Sequence, residues 1–326
     1  MSKPLNPPSS GMTPEVPASV GASASAAAVA DPHIREERVP PTVPAADGPA
    51  RRRTGPSGRW LLGLALLGGL ALFAVLGPWW TGIDPAAQDL RQSLAPPSWA
   101  HPLGTDLLGR SVLSRLTHAA RLSLLVAVMA TLSAALPGVL LGLWAAWRGG
   151  TTERAVVMLA DAMLALPALL LVLLFAALAP GELWALYAGL SLGLWVEYFR
   201  VSRAQARPVL HGPGVEAARL LGLSRWTVWR HHLLPAVWPV VARLLPLSVG
   251  QSVLSLSALG FIGVGMPPPT AELGLMMTEY LPHYEEAPWL LPAPIALLLL
   301  LVLGLWLVTS SDAAGADPSH DAEARP

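Results

Sequence analysis

The chain has 326 residues, no net formal charge and no cysteine; 53% of its residues are apolar and only 13% are charged, against ~25% charged in an ordinary soluble domain. This balance puts it in the membrane class, gives no pointer to nucleic acid, and excludes disulfides, thiolate metal sites and cysteine nucleophiles. Lys3 is the only lysine, so there is no Walker A lysine and the chain is not itself a P-loop ATPase.

In chain order, residues 1–57 are rich in Pro, Ala, Ser and Val with no hydrophobic period, which predicts a disordered tail that cannot bury enough surface to offset its ordering entropy. The apolar run 60–80 follows Arg51, Arg52, Arg53 and Arg59. It is too long and too far from Met1 for a cleaved signal peptide, and it lacks a small-residue cleavage site. It therefore reads as the first transmembrane helix, with Trp79 and Trp80 at the far interface. Further spans are expected at 122–147, 156–178, 183–199, 237–264 and 288–309, each near the ~20 residues that cross hydrocarbon. Pro137, Pro167, Pro246 and Gly250 fall inside them, as bundled membrane helices tolerate, and Pro167 reads as a packing kink. The fold class expected is all-α: a polytopic membrane bundle of six transmembrane helices over 58–310, followed by a disordered tail at 311–326.

Arginine sets the expected orientation. With the N-terminus inside, the inner segments hold the basic tail, Arg148, Arg154 and the group Arg200, Arg203, Arg207, Arg219, Arg225 and Arg230. The outer loops hold Arg91, Arg110, Arg115 and Arg121, and 265–287 holds none. Basic residues concentrate on the cytoplasmic side of membrane proteins, so both termini and the loop at about 200–236 are expected in the cytoplasm.

Within that loop stands Glu216-Ala217-Ala218-Arg219-Leu220-Leu221-Gly222, followed by Leu234-Pro235. Residues 215–221 have helix-forming composition, and Gly222 suits the left-handed position that ends a helix. Ser224 offers an N-cap oxygen to a second short helix, which Pro235 is expected to stop. Leu220, Leu221, Val228, Leu233 and Leu234 are the expected apolar contacts of the resulting knob. Trp and Arg would also suit a helix lying on anionic lipid, but that arrangement requires neither Gly222 nor the Glu-Ala-Ala triplet. A second stretch runs His101-Pro102-Leu103-Gly104-Thr105-Asp106-Leu107-Leu108-Gly109-Arg110-Ser111-Val112-Leu113-Ser114-Arg115. Thr105 or Asp106 is expected to cap a short outer interfacial helix, with Leu108, Val112 and Leu116 on one face and Arg110 and Ser114 on the other.

The spacing of Glu-Ala-Ala, Gly222 and Leu234-Pro235 resembles the EAA loop of binding-protein-dependent ABC importer permeases. The 101–115 stretch resembles the corresponding segment of the C-type subunit in the dipeptide, oligopeptide and nickel branch. Further agreement lies at Gly149-Gly150, Arg154, Leu159 through Pro167, Phe261 through Gly265, Pro268-Pro269-Thr270 and Gly274, so the resemblance covers roughly 60–310. Departures are Ser111 for a second aspartate, Leu256 for a glutamate, Leu273 for a tryptophan, and Glu197 at the inner end of the fourth span.

The resemblance implies a type I importer permease fold in the bacterial cytoplasmic membrane. It implies a non-enzymatic subunit that pairs with a second permease and receives cargo from an external solute-binding protein. Glu216, Ala217, Ala218, Gly222, Leu234 and Pro235 would dock two ATPase subunits, which bind the ATP and magnesium; Gly104, Thr105, Asp106, Gly109 and Arg110 would form the outer motif. Short peptides are the expected cargo, with nickel or a nickel chelate as the alternative. A self-sufficient secondary transporter or a membrane scaffold is the alternative of another class. No HExxH stands in the chain, the adjacent His231 and His232 make a poor metal pair, and His283, Glu285 and Glu286 read as a solvated loop.

Overall fold

The computed structural model describes residues 58–313, with side chains to 310. The expected tail 1–57 lies outside the described residues. Of the expected tail 311–326, residues 311–313 still belong to the last helix and the remainder lies outside as well.

The described chain is built from helices: α1 Gly58–Thr81, α2 Val112–Arg148, α3 Gly150–Leu164, α4 Ala168–Leu178, α5 Leu183–Leu210, α6 Pro213–Leu220, α7 Arg225–Val228, α8 Leu234–Phe261, α9 Leu273–Tyr280 and α10 Pro292–Ala313. Among the described residues the only β pairing is an isolated bridge between Thr105 and Ser111.

Four helical stretches are long and apolar enough to cross a membrane: α1, α2, the continuous run Arg225–Phe261, and Pro292–Ser310. The expected third span is not one straight helix. It breaks at Pro167 into α3 and α4, bent by 77°, and makes a fifth crossing if the pair is counted as one. The cause is local: proline disfavours helical geometry in the residue before it, and Pro167 itself is extended, with ψ 130°. The expected fourth span, α5, is long enough at 28 residues. Glu197, Arg200 and its aromatic side chains keep it out of the apolar set, so length and composition alone do not reach the expected six.

Apolar lipid supplies no hydrophobic drive between helices, so close packing and interhelical hydrogen bonds must hold them together. The seam between α2 and α5 is the tightest. A β-carbon on Gly142 would fall 2.6 Å from the Phe199 carbonyl oxygen, so only glycine permits this approach. Ser133 and Ser191 bond across the same seam at 2.9 Å, and Tyr198 donates to Ser248 at 2.8 Å to tie α5 to α8. Such bonds contribute roughly 0.6 kcal/mol each in membrane bundles. α1 packs against α10 and α2 and turns leucines outward, as a lipid-facing helix does.

Candidate functional site

The two motifs of the sequence sit at opposite ends of one helix. α2 begins just after the 101–111 loop and ends beside the Glu216 segment, where Trp147 packs against Val215, Ala218 and Val228. Its 37 residues give about 55 Å of helix at ~1.5 Å per residue, more than the ~30 Å of hydrocarbon.

At the C-terminal end of α2, α6 starts on Pro213 and carries Glu216 in its first turn, where a carboxylate complements the helix dipole. It ends in a Schellman turn: the Leu223 N–H donates to the Ala218 carbonyl and the Gly222 N–H to the Arg219 carbonyl, both at 3.0 Å. The turn requires a left-handed residue, and Gly222 has φ 70°. Nothing lies within 4 Å of a β-carbon added there, so conformation and not space demands glycine. The Ser224 hydroxyl then accepts the Thr227 N–H at 3.1 Å and caps α7.

Pro235 does not stop the second helix as the sequence led us to expect. A π turn, Trp229–Leu233, runs directly into α8, with Pro235 in the first turn of α8. A proline there lacks an N–H the helix does not need. The knob's contacts also differ from expectation. Val228 and Leu233 are buried, and Ala218 with them, but Leu220 and Leu221 are 85% and 77% exposed and Trp226 is 64% exposed. Leu234 is half-buried, while Glu216, Ala217, Gly222 and Pro235 are exposed. Among the described residues the Glu216 side chain has no hydrogen-bond or ion-pair partner. Arg219 lies over the Trp147 ring at 6.0 Å, and Trp226 stacks on Trp229 at 5.0 Å.

At the N-terminal end of α2 the expected short helix is absent. Residues 104–111 form an irregular loop, and the helix starts only at Val112, with Ser111 as its N-cap. The loop forms no helix because its polar side chains take over its backbone bonds. One Asp106 carboxylate oxygen accepts the Leu108 and Arg110 N–H groups, each at 2.9 Å. Thr105 accepts the Ala95 N–H at 2.9 Å and donates to the Gln92 carbonyl. Gly104 and Gly109 let the loop pass close to the Ala95 and Asp89 carbonyls.

The other Asp106 oxygen takes Arg110 Nε and Arg115 Nη1, both at 2.6 Å. Glu279 closes the square, 2.6 Å from Arg115 and 3.2 Å from Arg110. Arg110 and Ser114 are therefore buried and do not face outward.

Sequence reasoning missed Glu279, which lies 169 residues from Arg110, and also Glu153 and Glu272. Glu153 pairs with Arg203 at 2.7 Å and Arg207 at 3.4 Å, joining α3 to α5. Glu272 is fully buried and caps α9 by accepting the Gly274 and Leu275 N–H groups at 3.0 and 2.8 Å. The last was the one with a local signal, an acid just ahead of an apolar helix.

Comparison with known proteins identifies the family. The profile of the family described as "Binding-protein-dependent transport system inner membrane component" matches residues 138–314. The chain is 37% identical over 265 residues to the "Di/tripeptide transport system permease protein DppC" of Pseudomonas aeruginosa, covering 79% of this chain and 86% of that one. It is 32% identical over 235 residues to the "Probable D,D-dipeptide transport system permease protein DdpC" of Escherichia coli, covering 72% and 79%. It is 28% identical over 258 residues to the "Oligopeptide transport system permease protein OppC" of Bacillus subtilis, covering 79% and 85%. With a matched profile over more than half its length and relatives of this closeness, the chain belongs to the binding-protein-dependent transport permeases, inner-membrane subunits of ABC importers with the type I permease fold.

Proposed function

We propose that this chain forms half of the translocation pathway of an ATP-driven importer of short peptides and that the α6–α7 knob is its docking element for an ATPase subunit. The observation that carries the reading is the knob's construction. A Schellman turn at Gly222 and a Ser224 cap fix two short helices rigidly against Trp147, yet leave Leu220, Leu221 and Trp226 uncovered. A fixed apolar surface ringed by arginines suits a protein partner, since exposed apolar patches of this kind mark interaction sites. The relatives' names supply the cargo class.

A second permease completes the pathway, an external binding protein delivers the cargo, and the ATPases hold ATP and magnesium. Closure of the ATPases pulls on the knob and rotates the bundle, a coupled rigid-body change. Both termini and the knob face the cytoplasm, and the 101–111 loop faces the opposite side.

The test is co-purification of the ATPases with Glu216→Lys and Gly222→Val, paired with peptide uptake. Both variants insert in the membrane, lose the ATPases and stop transporting. Retained association and uptake in both would refute the docking role. An impermeant thiol reagent that labels Ser224→Cys as readily as Thr270→Cys in intact cells would overturn the orientation.

A further inference from the structure

Helices α4, α5 and α8 line an open cleft of about 470 Å³, inside the ~300–1,000 Å³ range of small-ligand sites. Its walls are largely apolar, Val172 among them. The polar groups stand on two helices: Glu197 and Arg200 on α5, and Gln251, Ser252 and Ser255 on α8.

Glu197 and Arg200 are exposed, and among the described residues neither forms an ion pair or hydrogen bond through its side chain. The next two arginines of the same helix face a different fate, both sharing the Glu153 carboxylate. Arg200 is thus left open on a helix that pairs its neighbours, and Glu197, three residues before it, is left open too. Glu197 lies at the inner end of the expected fourth span and Arg200 just beyond it, and charged groups that line a cavity of a membrane bundle mark substrate pathways.

Residues three apart on a helix have β-carbons ~5–6 Å apart. An extended dipeptide separates its ammonium from its carboxylate by about two residues of ~3.3–3.6 Å. The two spacings are compatible, and the signs are complementary. The Ser252 hydroxyl is already committed to the Ser248 carbonyl at 2.8 Å, whereas Gln251, exposed and bearing both donor and acceptor, can meet a peptide amide. The apolar walls place no polar demand on the peptide's own side chains.

Resting on the peptide-permease reading above, we infer that this cleft is a transit site for zwitterionic short peptides. Glu197 takes the α-ammonium group and Arg200 the terminal carboxylate. The site reads the two ends of the backbone and tolerates variety between them.

The experiment uses Ser255→Cys in this cysteine-free chain, assembled with its partner subunits in membranes. Dialanine slows alkylation of the new thiol by N-ethylmaleimide, whereas dialanine acetylated at its amine and amidated at its carboxyl does not. Adding Glu197→Gln or Arg200→Gln removes the protection, and each substitution lowers dialanine uptake about tenfold, as loss of one modest charge contact does. The inference fails if dialanine gives no protection with Glu197 and Arg200 intact, if the capped peptide protects equally, or if protection survives both substitutions. Absence of dialanine and trialanine uptake by the complex with none of these substitutions would bring down the peptide reading itself, and the inference with it.

Discussion

At the two ends of α2 the same residue types are put to opposite use. In the 104–115 loop, Asp106, Arg110 and Arg115 are withdrawn from solvent and closed into a square with Glu279, every carboxylate meeting two guanidinium groups. In the knob, Glu216 stands exposed without a partner among the described residues, and Leu220, Leu221 and Trp226 face outward while arginines surround them. The loop has paired its carboxylates internally, although Arg115 Nε and Nη2 stay buried without a hydrogen-bond partner. The knob has used only Val215, Ala218 and Val228 for its own packing and keeps its strongest contact groups free. A motif whose charges are paired and buried is a structural clasp; one that is rigid but leaves its charge and apolar groups uncovered is an interface.

The largest effect should come from breaking the clasp. Asp106→Asn keeps the size of the side chain but leaves Arg110 and Arg115 with Glu279 alone. Removing one member of a buried charge group costs about 3–5 kcal/mol, because the remaining charges stay buried and uncompensated. The amide nitrogen would also face guanidinium donors. The expected outcome is a strong loss of folded protein and a lowered melting temperature in detergent, with peptide affinity of the binding protein unaltered. A variant that melts like the parent would show that the square is not what holds the loop to α9.

The complementary substitution is made in the knob. Leu220→Ser combined with Leu221→Ser removes exposed apolar surface that touches little of the chain itself, so stability should change by no more than ~0.5 kcal/mol per site. ATPase association should nonetheless fall, by about tenfold or more in a pull-down titration, since exposed apolar anchors carry interfaces. Stability lost without loss of association would reverse the comparison and make the knob the structural element.

The knob was far more legible in the sequence than the clasp, for a physical reason. Gly222 and Ser224 act on backbone groups a few residues away, so turn and cap could be read from spacing alone. Asp106 acts on Arg110 and Arg115, which in turn reach Glu279 on α9, and nothing local in 101–115 announces Glu279 or the Thr105 contact to Gln92. Without those partners the segment read as a helix. Leu220 and Leu221 were misread in the opposite direction: apolar residues on a short helix were expected inward, but Trp147 covers the other face. Pro235 was misread as a stop because the π turn that leads into it leaves no mark on the sequence. The helices themselves were visible from hydropathy, with the break at Pro167 softened to a kink because a proline can do either.

The smallest effect separates a third acid from both regions. Glu272 caps α9 next to the clasp, but among the described residues no cation pairs with it. Burial raises its pKa above the ordinary glutamate value, against the pull of the Gly274 and Leu275 N–H groups. A folded-state pKa above the unfolded one means that the folded form holds its proton more tightly. Glu272 therefore favours folding fully only below the unfolded glutamate pKa, and this contribution is lost as pH rises from there through the raised folded value. Glu272→Gln removes the titration while its amide oxygen still accepts an N–H bond. The difference in melting temperature, parent minus variant, should thus fall as pH is raised from 4 to 8, with the parent relatively better at the acid end. Measuring that difference, and not the parent alone, cancels the response of the other carboxylates, including those of the clasp. A difference that grows with pH would mean that the Glu272 carboxylate is held by its N–H bonds more strongly than burial opposes it, and would place Glu272 with Asp106 as a satisfied anion.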